Sequence, residues 1–320
     1  MKAWKLLAAA LLAASTFAAS AQDYPSRTVK LIVPSAVGTG TDVTGRFLAD
    51  YLSREWNVGV IVENRVGANG IIAAEGVAKA PADGYTLLMG LSPLYINKAL
   101  YKSLPYDPAK DFRVLVGLND LFLALVVRSS SPFNSVQDLV TYAKANPGKV
   151  TYGSGGSGST THLGPALLAT MANVQLMHIP YRGAATALTD TISGQVDFAF
   201  TAIATAIPQV ANGRIRALAV SGLRRSKSMP TVPTMNELGF TGFNVLSKTF
   251  LAAPAALPDP IAEKIIAAVS KAIRTPEYQK FLDAQGFEAE TATPQAYQRN
   301  AEEEIKHWAE IVRLTGAKAD

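Results

Sequence analysis

Val150-Thr151-Tyr152-Gly153-Ser154-Gly155-Gly156-Ser157-Gly158-Ser159-Thr160-Thr161-His162-Leu163 is the stretch that decides the fold. Its β-branched and aromatic start reads as a buried strand. A run of glycine and serine follows, and Leu163, Leu167 and Met171 then recur on one helical face. Strand, glycine-rich loop and helix in that order are the first half of an α/β unit. An earlier stretch repeats the logic. Val29 to Val33 reads as a strand bounded by Pro34, and Ser35-Ala36-Val37-Gly38-Thr39-Gly40-Thr41-Asp42 as a loop. A helix to about Arg54 carries Val43, Phe47 and Tyr51 on one stripe.

Outward from these two stretches the pattern continues. Val58–Val62 and Thr86–Met89 read as strands around a helix from Gly70 to Lys79. In the second half, Leu121–Val127, Leu176–Ile179, Val196–Phe200 and Ile215–Val220 read as strands, with helices at Val136–Ala145 and Gly183–Ser193. Strands alternating with helices predict parallel sheets covered on both faces. Phe243–Ala253 reads as a strand re-entering the first unit. Helices open at Pro258-Asp259-Pro260 and Thr293-Pro294. The last carries Tyr297, Ala301, Ile305, Trp308 and Val312, a stripe that reads as core packing. The expected fold is therefore α/β, with two α/β domains and a cleft between them. Residues 22–120 with 248–320 form the first domain and 121–247 the second. The crossings fall near 118–125 and 245–250, within ~10 residues.

Met1-Lys2-Ala3-Trp4-Lys5, the apolar run Leu6–Ala19 and the small-residue site Ala19-Ser20-Ala21 form a secretory signal peptide over residues 1–21, cut before Gln22. The run is too short for a membrane span, and no later stretch is long and apolar enough for one. An exported, soluble, periplasmic protein is expected. The chain has no cysteine, which excludes a lipid anchor, disulfides, thiol catalysis and thiolate metal sites. The formal net charge is +5, of which Lys2 and Lys5 leave with the signal. Arg224-Arg225-Ser226-Lys227 is the one local basic cluster and reads as a solvated loop. Nothing resembles a nucleic-acid footprint.

In open α/β sheets, ligands sit beyond the carboxyl ends of the strands. Both glycine-rich loops fall there, and each leads into a helix start whose unpaired N–H groups and dipole favour an anion. A carboxylate suits such a site. Ser92, just past the third strand, can add a hydroxyl at the same edge, although a plain loop serine is the other reading. Nucleotide and hydrolase motifs fail on spacing. Val43 stands where the dinucleotide pattern needs glycine, Ser159 where a Walker loop needs lysine, and Ser159 again where a nucleophile elbow needs glycine. His162, His178 and His307 lie far apart in sequence, so neither a metal site nor a cofactor is expected.

Several ordered motifs carry a resemblance. Pro34, Gly38, Thr41 and Asp42 match a pattern P-[FY]-x-P-G-G-x-[ST]-D. Val62-Glu63-Asn64-Arg65 with Gly67-Ala68 and Gly70 is similar to V-E-N-R-P-G-A-G-G. Asp83-Gly84-Tyr85-Thr86-Leu87-Leu88, Leu104-Pro105-Tyr106-Asp107-Pro108 and Lys110-Asp111-Phe112 follow, then Tyr152 through His162-Leu163, Pro180-Tyr181-Arg182-Gly183 and Gly194-Gln195-Val196-Asp197. From about Tyr24 to the C-terminus the chain resembles the substrate-binding proteins of tripartite tricarboxylate transporters, the Bug or TctC type.

The resemblance implies a type II periplasmic binding fold and delivery of solute to membrane permease subunits. The protein is expected to be a monomer. The resemblance also implies that Gly38, Thr39 and Asp42 face one end of the ligand, and Ser154, Gly156, Ser157, Ser159 and Thr160 the other. Ser35, Val37, Arg182 and Thr201 complete the expected pocket. Helix-start donors, rather than Arg182, are expected to dominate carboxylate binding. Ser35-Ala36-Val37, Thr39 and Thr201-Ala202 depart from the pattern, so no relative's ligand carries over. With no acid after Phe200, a non-amino carboxylate with an apolar body is expected, an aliphatic diacid or an aromatic acid. Two other readings stay open: a periplasmic sensor subunit docking on a receptor, and a serine hydrolase built on Ser157 and His162.

Overall fold

A computed structural model describes residues 24–290, 292–299 and 301–318; the signal-peptide segment lies outside them. In chain order the strands are β1 (Val29–Val33), β2 (Val60–Asn64), β3 (Thr86–Leu91), β4 (Phe112–Leu121), β5 (Leu123–Arg128), β6 (Thr151–Ser154), β7 (Met177–Pro180), β8 (Phe198–Ala202), β9 (Ile215–Val220), β10 (Ser247–Pro254) and β11 (Glu288–Ala289). The helices are α1 (Gly40–Trp56), α2 (Ile71–Ala78), α3 (Pro93–Leu100), α4 (Val136–Ala145), α5 (Thr160–Ala172), α6 (Ala184–Ser193), α7 (Ile203–Ala211), α8 (Asp259–Ala272), α9 (Pro276–Gln285), α10 (Pro294–Arg299) and α11 (Ala301–Thr315).

The strands make two sheets, ordered β11-β4-β10-β3-β1-β2 and β7-β6-β8-β5-β9. β1 pairs in parallel with β2 and β3, and β6 in parallel with β7 and β8, as alternating strands and helices predict. The sheets are nonetheless mixed. β10 runs antiparallel to β3 and β4, and β5 antiparallel to β8 and β9. These are the strands by which the chain enters one sheet from the other. A strand that arrives this way is not held parallel by a helical crossover. The apolar run read as one strand from Leu121 is broken: β4 ends at Leu121 in the first sheet and β5 begins at Leu123 in the second. The chain returns between Val220 and Ser247.

Alternation along β1 shows how the first sheet is buried on both faces. Val29, Leu31 and Val33 join the cluster under α1 and α8, with Leu52 and Ile265. Ile32 joins the opposite cluster with Ala74 and Leu88. That second cluster continues through Trp308 to Leu163 of α5 and Phe198 of the second sheet. α11 packs against both α3 and α5, so the C-terminal stripe is core that spans the two units. Glu304 on this helix pairs with Lys248 at 2.7 Å beside Asp120, whose carboxyl burial pushes up to about 7, with repulsion from Glu290 adding to the shift.

The basic cluster is not a free solvated loop. Arg224 pairs with the buried Glu288, whose other oxygen accepts the Lys227 N–H at 3.0 Å, and Ser226 is buried. Arg225 pairs with Glu237 at 3.0 Å. This segment, which returns the chain from the second sheet, is bolted to β11 of the first.

Candidate functional site

Three loops from the first sheet and two from the second meet around a cavity of about 400 Å³. All follow carboxyl ends of parallel strands, where the sheet leaves a crevice.

The loop after β1 is held from behind by Asp42. Its carboxylate accepts hydrogen bonds from the Gly38 N–H at 2.9 Å, from Arg46 at 2.9 and 3.0 Å, and from Asn64 Nδ2 at 2.8 Å. Asn64 also donates to the Ser35 carbonyl at 2.9 Å, so β2 pins the other end of the loop. Burial pushes the Asp42 carboxyl up, but the bonds from Arg46, Gly38 and Asn64 outweigh it and hold the carboxyl below its ordinary range. Asp42 is 1 % exposed and supports the loop from behind. Ser35, Ala36 and Thr39 line the cavity. Val37 is 70 % exposed on the same loop, outside the lining with Gly38.

The loop after β2 forms the adjoining wall with Val66, Gly67, Asn69 and Gly70. After β3, Leu91, Pro93 and Leu94 continue it over an apolar floor that includes Leu88 and Ala74. Ser92 is buried at the start of α3; it accepts the Lys248 N–H at 3.0 Å and ties β3 to β10. The plain structural reading of that serine is the one the geometry supports.

In the second sheet, the loop after β6 contributes Gly155 to the cavity, and the loop after β7 contributes Arg182 and Gly183. Gly155 packs so closely that a β-carbon there would sit 2.9 Å from Ala184 N. The hydroxyls of this loop serve the loop. Ser159 caps α5 by accepting the His162 N–H at 3.3 Å and donates to the Gly156 carbonyl at 2.7 Å. Thr161 accepts the Gly155 N–H at 2.9 Å, and Thr160 is buried. Ser154 is fully buried, accepts the Gly156 N–H at 3.1 Å and lies 2.7 Å from His178 Nε2. Ser157 lines a separate depression with His162 and His178, and Thr201 is buried in β8 opposite Ala124.

Of the expected ligand contacts, then, Ser35, Thr39 and Arg182 reach the cavity. Asp42, Ser92, Ser154, Ser157, Ser159, Thr160 and Thr201 lie behind or beside it. For Ser154 and Ser159 the reason is that a short polar side chain in a tight loop satisfies the loop's own backbone first; Asp42 serves the β1 loop from inside its helix, and Ser92 serves β10. Gly156 stays in the loop without joining the lining. Arg182 is exposed and lines the cavity, and among the described residues no ion pair or hydrogen bond holds its side chain. The wall around Asn69 was legible only as a motif; that it too follows a strand end was the signal available.

The histidines, distant in sequence, are not all distant in space. His162 and His178 stack at 4.0 Å between ring centres, with Tyr152 beside them. The Gly158 N–H points at His162 Nδ1 at 3.0 Å, which makes this nitrogen an acceptor. Among the described residues no group of three or more potential metal ligands is assembled, and no helix is long and apolar enough to cross a membrane.

Two mixed α/β sheets, joined by crossing strands and enclosing a cavity at their carboxyl edges, are the architecture of a periplasmic solute-binding protein. The sequence profile of the tripartite tricarboxylate transporter family receptors (TctC) matches residues 44–317. The chain is 33% identical to the protein BugT of Bordetella pertussis over 301 residues, covering 93% of this chain and 92% of BugT. Its fold matches that of Rpa4515 of Rhodopseudomonas palustris, solved with adipate, with a TM-score of 0.85 and 33% identity, covering 93% of this chain and all of that one. It also matches MatC from the same organism, solved with malate, at TM-score 0.81 and 30% identity over 90% of this chain and all of MatC. The chain belongs to the TctC family of tripartite tricarboxylate transporter receptors, the Bug proteins among them.

Proposed function

We propose that this protein captures a small carboxylate with an apolar body in the periplasm and delivers it, as a monomer, to the permease subunits of a tripartite transporter. The observation that carries this reading is the cavity itself: mostly apolar walls with a guanidinium, Arg182, at the rim of the second unit that pairs with none of the described residues. A guanidinium matches a carboxylate in both charge and geometry. Relatives of the same fold, solved with adipate and malate, support the ligand class. Residues 24–121 with 247–318 act as one half of the clamp and 123–220 as the other, and ligand closes them on each other. The cavity contains no side-chain carboxylate, since Asp42 is committed behind the loop, so an ammonium group has no charged partner there.

A thermal-shift panel of mono-, di- and tricarboxylates tests the reading. A ligand that binds only the closed native state adds about 2.7 kcal/mol at a hundredfold saturation. In a chain of this size that is a rise of roughly 5 °C. EDTA is expected to leave the shift unchanged. A response to sugars or nucleotides, with none to any carboxylate, would overturn it.

A further inference from the structure

Away from the cavity, charged groups gather where the chain crosses between the two units. Asp120 lies two residues before Phe122, which links β4 to β5, and Lys248 is the second residue of β10, the strand by which the chain returns. In the first sheet Asp120 stands between Glu288 of β11 and Lys248 of β10. Residues directly opposite on antiparallel strands share a face, so the three form one row. Glu290 and, from α11, Glu304 face this row, and Arg224 reaches it from the segment that leaves β9. Arg224 pairs with Glu288, and Lys248 with Glu304 at 2.7 Å, so four carboxyls in the cluster share two cations. Tyr95 of α3 and Tyr297 of α10 add phenols that burial holds protonated.

Among the described residues Asp120 makes no ion pair, and its Oδ1 is sealed from solvent without a hydrogen-bond donor. A sealed carboxylate oxygen with no donor, beside further acids, favours the neutral acid. Burial is the largest influence on this carboxyl and the Glu290 charge the next, and they push it up to about 7. The units are closed on each other in this conformation. Loops of both line one cavity, and Asn69 Nδ2 of the first reaches the Gly158 carbonyl of the second at 3.4 Å. Arg224, whose guanidinium lies 5.1 Å over the Phe122 ring, leaves from the second sheet, and α11 packs on α5 of the second unit. Separating the units draws both away from Asp120 and lets water reach it.

We propose that the hinge is a proton-linked switch: Asp120 takes up a proton as the clamp closes and releases it as the clamp opens. Water at the carboxyl removes the burial that keeps it neutral. That outweighs the loss of the Arg224 charge, because burial is the larger influence. The closed form holds the proton up to about pH 7, and the hydrated open form only toward the ordinary carboxyl value of 3.8. Closure is therefore favoured below neutral pH, and the advantage is lost as pH rises through 7. The proposal goes beyond carboxylate capture and rests only on the two units moving as a clamp.

The chain has no cysteine, so two introduced thiols carry a donor and an acceptor dye without competing sites. Ile61→Cys and Met177→Cys mark exposed positions on β2 and β7, the edge strands on the side of each sheet away from the crossings. Single-molecule energy transfer on the ligand-free protein then counts closed and open forms. The closed-to-open ratio is expected to be about tenfold higher at pH 6 than at pH 8. Asp120→Asn, neutral at every pH, is expected to hold the ratio within about twofold over that range. Glu290→Gln removes the neighbouring like charge and is expected to move the midpoint to lower pH, a readout that stands even if Asp120→Asn folds poorly. A wild-type ratio that ignores pH, a response that survives Asp120→Asn, or a midpoint unmoved by Glu290→Gln overturns the proposal. Closure driven by adipate or malate with no response to pH overturns the switch and leaves the clamp standing; one fixed distance under every condition overturns both.

Discussion

The loops after β1 and β6 look alike in sequence and do different work. Each runs from a parallel strand through glycine and hydroxyl residues into a long helix. After β1, a carboxylate from inside the helix, Asp42, organises the loop, and Ser35, Ala36 and Thr39 are left facing the cavity. After β6 no acid is available. Ser154, Ser159 and Thr161 bond the loop's own backbone, and only Gly155 reaches the cavity. The cation for that side comes from the neighbouring loop after β7. A glycine- and serine-rich loop thus identifies a strand end, and the hydrogen bonds inside it decide whether its hydroxyls are available.

The sharpest test of this contrast is removal of the organiser. Asp42→Ala leaves the Gly38 N–H, the Arg46 guanidinium and the Asn64 amide short of their acceptor. It is expected to cost about 3 kcal/mol in denaturant unfolding. A loss below about 1 kcal/mol would mean that the β1 loop, like its counterpart, holds itself. The pH dependence follows from the sign of the shift. The Asp42 carboxyl titrates below its ordinary 3.8, so its contribution is complete above that value and fades as pH falls through the lowered one. Unfolding of the wild type and Asp42→Asn is therefore expected to converge in acid and diverge toward neutral pH.

Binding separates the two loops on the second wall. Arg182→Ala is expected to weaken carboxylate affinity roughly thirtyfold, about 2 kcal/mol, while Ser157→Ala changes it less than twofold. The reverse pattern would restore the β6 hydroxyls as the ligand's donors. Smallest is the cap. Ser159→Ala is expected to lower stability by about 1 kcal/mol and to leave affinity within threefold. A larger fall in affinity than in stability would show that the β6 loop reads the ligand after all.

Local pattern was enough for much of this protein. Alternation of strand and helix gave two α/β units, because each periodicity is set by how a single element hides its own apolar face. Strand ends with glycine-rich loops were readable for the same reason. Trp308 and its stripe were readable as core, although not as core shared by both units. The antiparallel entry of β5 and β10 was not readable, because it depends on which sheet the chain comes from. Nor was the division of labour among Asp42, Ser159, Asn69 and Arg182. Each carries a polar group whose work is fixed by the nearest partner in space. For Asn69 those partners are Asn97 and, from the other sheet, Gly158. Sequence set where polar groups would gather; tertiary structure decided which were spent on the backbone and which were left for a ligand.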